Sequence, residues 1–333
     1  MKMREALYYE ARPENKVKCL LCPRECLLAP GKAGVCRIRE NRDGRLYTRN
    51  YGRASACALD PIEKKPLYHF HPGSTILSLG TFGCNFGCRF CQNWSIAQAE
   101  PSTIELRPEQ VIQALLEAAE PYRCIGLAFT YSEPLVWYEY VQETAEQGQR
   151  AGFKNVLVTN GFIQEQPLKE LLPLIDALNI DVKAFTNEFY RHWCRGSLKP
   201  VLRTVELAVV QCHVELTTLL IPGLNDSAEE IKDLVTWVAG LSPDIPLHFS
   251  SYFPNYQLNL PATPVSTMER AYEIAREQLN YVYLGNLPGN QRSNTACPQC
   301  SQLLVERNGY QTKVVGLSGQ ACANCGQLIP IIR

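Results

Sequence analysis

The chain has 333 residues, with 33 Lys and Arg balanced by 33 Asp and Glu, and it carries 15 cysteines. That length is enough for a full-sized core plus one or two small appendages, and the even charge gives no global field that would attract nucleic acid or an anionic membrane. Met1 to Glu10 lacks an apolar h-region and no stretch approaches about 18 uninterrupted apolar residues, so a cytoplasmic protein that neither is secreted nor spans a membrane is expected.

Without a secretory signal, this many cysteines argue for metal ligation in a reducing compartment rather than for disulfides. Most of them fall into three groups: Cys19, Cys22, Cys26 and Cys36; Cys84, Cys88 and Cys91; and Cys297, Cys300, Cys322 and Cys325. Cys57, Cys124, Cys194 and Cys212 are scattered and read as core or strand thiols.

Residues 1–71 form a cysteine-rich segment. It opens with a short helical pattern, Arg4 to Tyr9, followed by CxxCxxxCx(9)C with turn residues between the ligands. Four thiolates suit structural zinc and equally suit an auxiliary iron-sulfur cluster, and the balance leans to the cluster. Arg45 to Ala56 then alternates like an edge strand, and Asp60 to Pro72 is dense in charge, with His69 and His71 expected on one exposed face as surface or lid residues.

Residues 72–286 switch to alternating strands and helices, the pattern of parallel α/β units. Strands are expected at Thr75–Leu79, Cys124–Thr130, Asn155–Thr159, Ala177–Val182, His213–Ile221, Leu247–Ser251 and Tyr281–Leu284. Helical spacing of apolar residues marks Glu109–Glu120, Glu230–Ala239 and Ser266–Gln278. The repetition, with no GxGxxG after the first strand, favours an open (β/α) barrel over a dinucleotide-binding sheet.

Directly after the first of these strands comes Gly80-Thr81-Phe82-Gly83-Cys84-Asn85-Phe86-Gly87-Cys88-Arg89-Phe90-Cys91-Gln92-Asn93-Trp94. Three thiolates on so short a loop can hold three irons of a [4Fe-4S] cube and leave the fourth iron open, while the glycines let the backbone bend around the sulfides. A zinc knuckle is the competing reading, and it lacks a fourth local ligand. In barrels of this kind the chemistry sits at the C-terminal strand ends, where this loop lies.

Residues 287–333 carry two CxxC knuckles, a pattern for a zinc ribbon or rubredoxin-like site that holds zinc or a single iron. Zinc is favoured. The tail has few Lys and Arg, so a metal that folds a piece too small to bury a core outweighs a nucleic-acid or protein docking role.

The CxxxCxxC loop, together with Thr130-Tyr131-Ser132-Glu133-Pro134, Val156 to Gly161, Asn179-Ile180-Asp181-Val182-Lys183 and Leu220 to Asp226, resembles the radical S-adenosylmethionine (SAM) superfamily. The resemblance implies an α/β fold: a partial (β/α)6-type radical SAM barrel with an N-terminal cysteine-rich segment and a C-terminal zinc-ribbon or rubredoxin-like tail. It also implies a [4Fe-4S] cluster on Cys84, Cys88 and Cys91, and a one-electron reductant as partner. SAM would be bound by Glu133 at its amino group, Asn160 at the ribose, Asp181 and Lys183 at its carboxylate, and Leu219 or Ile221 at the adenine. No residue is nominated as a general base, because the radical carries the chemistry.

More narrowly, the four-cysteine preface, Asp60 to Leu67, Cys91-Gln92-Asn93-Trp94, Tyr283 to Gly289 and the terminal CxxC pair resemble the radical SAM component of the AmmeMemoRadiSam system, end to end. That resemblance implies Memo-type and AMMECR-type protein partners. His248 keeps a candidate role at the barrel mouth beside the reading of a satisfied core histidine. Two functions compete with a radical enzyme of unidentified substrate: an activase that installs a glycyl radical on a partner enzyme, and a zinc-ribbon RNA-binding or RNA-modifying protein. A binding module with purely structural metals is a third.

Overall fold

The computed structural model describes residues 3–287 and 292–333. Pro288 and Gly289 of the expected Tyr283–Gly289 motif lie outside the described residues.

The main sheet has eight strands: β1 Ala56–Pro61, β2 Thr75–Gly80, β3 Cys124–Phe129, β4 Lys154–Thr159, β5 Ala177–Asp181, β6 His213–Leu220, β7 Leu247–Ser251 and β8 Val282–Gly285. They hydrogen-bond in chain order, so each strand lies beside the next. β1 runs antiparallel to β2, and β2 to β8 are parallel throughout. Because β1 and β8 stay unjoined, the result is a partial barrel of six βα units closed by a seventh parallel strand. The crossover helices are α1 Pro108–Tyr122, α2 Tyr138–Arg150, α3 Glu165–Leu171, α4 Leu198–Ala208, α5 Ala228–Leu241 and α6 Val265–Arg276.

The helices form where apolar residues recur on one face. Val111, Leu115 and Ala118 of α1, and Ile231, Leu234, Val235 and Val238 of α5, are buried against the sheet. Ser227 starts α5 by accepting the Glu230 N–H at 3.2 Å, and α1 stops at Arg123 in a left-handed conformation, φ +52°. Strand residues Leu127, Phe129, Leu157, Leu178, Ile180, Leu216 and Phe249 share this outer core.

The alternate residues face the barrel interior. Ile76, Ala128, Val156 and Ala177 pack with Ile62, Leu67 and Phe70 of the strap that joins β1 to β2. The other half of the interior is polar: Asn179, Glu215, Thr217 and His248 are all buried. The C-terminal tail closes the floor. Ile332 hydrogen-bonds the strap on both sides, through the His71 N–H at 2.7 Å and the His69 carbonyl at 2.8 Å, and the buried Arg307 donates to the Tyr68 carbonyl at 2.7 Å and the Thr295 hydroxyl at 2.8 Å.

Several local expectations change. Arg4 to Tyr9 is not helical: Arg4–Glu5 pairs with Thr48 and Tyr47, and Tyr9–Arg12 forms a hairpin with Lys16–Cys19, turned by Glu14 and Asn15 at φ +60° and +53°. So few residues cannot establish a helical period against strand pairing. Arg45–Thr48 is the middle strand of three, not an edge. His69 is fully buried rather than a surface or lid residue, with its Nε2 2.7 Å from the Tyr283 hydroxyl and its Nδ1 3.2 Å from the Pro330 carbonyl.

Candidate functional site

A cavity of about 450 Å³ opens at the C-terminal ends of the parallel strands, a size that suits a small-molecule site. Cys84, Cys88 and Cys91 from the loop after β2 line it, with Glu133 after β3, Asn160 after β4, Asp181 and Lys183 at the end of β5, Leu219 of β6 and Ser250 of β7. The expected cluster and SAM ligands Cys84, Cys88, Cys91, Glu133, Asn160, Asp181 and Lys183 therefore meet at one mouth, together with Leu219 of the two adenine candidates. Ile221 does not; it is buried in the outer core.

The loop is shaped around its thiols. The Phe86 N–H points at the Cys84 sulfur at 3.3 Å, and the Asn160 amide reaches it at 3.5 Å. Gly83 has φ +89°, and a Cβ there would stand 2.4 Å from the Ile38 side chain and 2.7 Å from the Cys36 carbonyl, so the loop lies flat on the N-terminal segment. Burial, reinforced by the nearby Glu133 charge, pushes the Cys84 thiol well above its ordinary range, and burial pushes Cys91 up to about 11. Cys88 is raised first by a hydrogen bond with Cys194. A bound cation would favour the thiolate form of thiols raised in this way, and three soft donors with N–H groups aimed at the Cys84 sulfur fit an iron-sulfur cluster.

Glu133 is buried and accepts three hydrogen bonds, from the Thr159 hydroxyl at 2.6 Å, the Asn160 N–H at 2.9 Å and the Leu135 N–H at 3.0 Å. Burial outweighs them and lifts its carboxyl to about 7. Asp181 and Lys183 pair at 2.7 Å. Burial would pull the Lys183 ammonium down, but the Asp181 carboxylate overcomes it and holds the amine above its ordinary value. The Asn225 side chain after β6 fixes this pair by donating to the Lys183 carbonyl at 2.8 Å. Asn160 spends its amide on the loop, donating to Asn85 at 2.9 Å and accepting the Phe162 N–H at 2.8 Å.

His248 sits one layer below the cavity. Its Nε2 lies 2.6 Å from Glu215, which also meets His213 at 3.0 Å and the His69 N–H at 2.7 Å. Two groups in the site were not nominated from sequence. Cys194, whose carbonyl accepts the Gly87 N–H at 2.8 Å, ends a π-helical turn, Tyr190–Cys194, a feature frequent at functional sites. Lys64, Lys65 and Tyr131 line the opposite wall.

The other cysteine groups differ in geometry. Cys297, Cys300, Cys322 and Cys325 bring their sulfurs within 4.8 Å of one another, with Cys297–Cys325 and Cys300–Cys322 each at 3.6 Å. Zinc-sulfur bonds of about 2.3 Å in a tetrahedron put ligand sulfurs about 3.8 Å apart, so these four fit one metal ion. Among the described residues no three of the remaining clustered thiols gather that tightly. Cys19, Cys22, Cys26 and Cys36 are neighbours nonetheless: burial above all, then the adjoining thiols, push Cys22 up to about 12.

A partial parallel barrel with a thiolate loop after its first parallel strand defines a class, and the comparisons agree with it. The radical SAM superfamily model matches residues 78–238. An uncharacterized protein of Methanocaldococcus jannaschii, MJ0808, is 42% identical over 99% of this chain and 100% of its own length. A second protein of that organism, MJ1632, provisionally named a glycyl-radical enzyme activating enzyme, is 26% identical over 62% of this chain and 79% of its own. Among solved structures, a radical SAM methyltransferase from Sphaerobacter thermophilus superposes with a TM-score of 0.51 at 17% identity, over 70% of this chain and 71% of that one. Streptococcus suis SuiB gives 0.51 at 14% identity, over 68% and 52%. The chain belongs to the radical SAM superfamily.

Proposed function

We propose that this protein cleaves SAM reductively at a [4Fe-4S] cluster and uses the 5′-deoxyadenosyl radical to abstract hydrogen from a substrate. The observation that carries the reading is the meeting of Cys84, Cys88 and Cys91 with Glu133, Asp181 and Lys183 in one cavity. When bound, the cluster supplies the electron for that cleavage. The chain does the rest. The three cysteines hold the cluster, Glu133 in its ionised form accepts from the SAM amino group, and the Asp181–Lys183 pair takes the carboxylate. Leu219 supplies an apolar wall, and the recessed position of the cavity at the strand ends orients what binds there. Asn160 positions the loop and Glu133 through the bonds described above.

The finer calls rest on resemblance. The AmmeMemoRadiSam system, with Memo-type and AMMECR-type partners, is supported by the motifs that run from the four-cysteine preface to the terminal knuckles. We also propose zinc in the C-terminal site, a metal or second cluster at Cys19, Cys22, Cys26 and Cys36, and a cytoplasmic setting. A glycyl-radical activase is the second reading, favoured by the similarity to MJ1632. Anaerobically reconstituted protein given dithionite and SAM is expected to release 5′-deoxyadenosine, and its absence would overturn the proposal. A doublet electron-paramagnetic signal on a partner enzyme would select the activase.

A further inference from the structure

Opposite the Asp181–Lys183 pair, the cavity wall is built from the segment after β1 and the turn after β3. Asp60 takes three donors there: Lys64 at 2.7 Å, Lys65 at 2.6 Å and the Tyr131 hydroxyl at 2.5 Å. Tyr131 is strained, at φ +70°, and its carbonyl accepts the Asn93 side chain at 2.6 Å, so this wall is tied to the end of the cysteine loop. The Lys65 residue is 1% exposed and its ammonium lies 4.8 Å from the centre of the Tyr131 ring.

The charges do not cancel. One carboxylate faces two ammonium groups, whereas Asp181 and Lys183 neutralise each other. Lys65 has three N–H donors and lines the cavity, and Asp60 is its hydrogen-bond partner among the described residues, so two donors remain without an acceptor there. The buried Ser132 hydroxyl has no hydrogen-bond partner among the described residues and lines the same cavity. Buried donors left open in this way are costly unless something accepts from them.

We propose that Lys64, Lys65 and Ser132 form a receptor for an anionic group, a carboxylate or a phosphate, on the substrate of this enzyme. The inference rests on the radical SAM reading of the cavity. SAM's own carboxylate is the other anion that enters, but Lys183 lies at the end of β5 and the lysine pair follows β1, with β2, β3 and β4 between them. Asp60 acts as a positioning residue that holds both amines toward the cavity. The ionisable groups facing Lys65 are Asp60, Lys64 and Tyr131; burial dominates and lowers Lys65 to about 8. The Lys65 share of the receptor's charge is therefore lost as the pH rises through that value.

The test titrates SAM-saturated, reconstituted holoenzyme with inorganic phosphate and, separately, with succinate, read by calorimetry. Saturable binding of one of them is expected, weakened about tenfold in Lys64→Gln, whose side chain is partly exposed and tolerates exchange, and more in Lys65→Met. Succinate, which stays fully ionised over this range, is also expected to bind more weakly as the pH rises from about 7 to about 9. The tighter anion names the substrate group. No saturable binding of either anion, or equal affinity in Lys64→Gln, overturns the proposal. So does a rise in the KM for SAM as large as the loss of anion binding, which would give the lysines to SAM. Failure of the wild type to release 5′-deoxyadenosine would instead sink the radical SAM reading, and the two failures are read in separate assays.

Discussion

The two ends of the barrel treat their buried carboxylates differently. At the floor, Glu215 satisfies His213, His248 and the His69 backbone, and His69 spends its ring on Tyr283 and Pro330. At the mouth, burial and neighbouring groups raise three thiols, burial lifts Glu133 to about 7, Tyr131 is strained and the Ser132 hydroxyl has no partner among the described residues. The Glu215 network specifies structure, although Arg307 Nε, Tyr281 Oη and Glu63 Oε2 near the floor have no hydrogen-bond partner among the described residues. The raised thiols, Glu133 and the strain at Tyr131 are therefore what mark the mouth as the place where a ligand completes the set.

Substitutions at the two ends are expected to separate activity from stability. The largest effect belongs to the mouth: Cys88→Ala is expected to reduce 5′-deoxyadenosine release by about three orders of magnitude. Retention of a tenth of the wild-type rate would break the contrast. At the floor, Glu215→Ala strands two imidazoles and is expected to cost about 3–5 kcal/mol in denaturant unfolding. An unchanged midpoint would show that the network carries no stability. Stripping the C-terminal metal, or Cys322→Ser, is expected to lower the melting temperature by about 10 °C, with cleavage per folded molecule retained.

Two pH effects are smaller and differ in kind. Burial holds the His69 imidazole down at about 3, so below its ordinary value the unfolded chain takes a proton that the folded protein refuses. Stability is therefore expected to fall as the pH drops below about 6.5, by up to about 1.4 kcal/mol per unit, and His69→Asn should flatten that slope. Glu133 shifts the other way, up to about 7. The carboxylate that would receive the SAM ammonium predominates above that value, so SAM affinity should rise about tenfold from pH 6 to pH 8, a gain absent in Glu133→Gln.

The sequence made the mouth legible because its ligands are local. Cys84, Cys88 and Cys91 share one loop, and each later contact ends a strand whose period can be read. The floor was not legible, since His69, Glu215, His248, Tyr283 and Arg307 come from separate elements and each is unremarkable alone. Lys65 was hidden for a related reason: a run of charges reads as a solvated face, and only the fold shows that Asp60 neutralises one of its members indoors. The open barrel follows from the strand count and the absence of a dinucleotide fingerprint. The N-terminal hairpins were missed because strands of so few residues carry almost no periodic signal.

The tether between His69 and Pro330 spans 261 residues of chain. Closing so long a loop makes the floor one of the slowest contacts for the folding chain to find, after the neighbouring strands have paired in order. In a chain whose tail has not docked, the lower barrel would be open to water. Asn179, Glu215, Thr217 and His248 tolerate that hydration as an aliphatic filling would not, so the polar lining also keeps a half-finished barrel from exposing sticky surface while it waits for its last turn of chain.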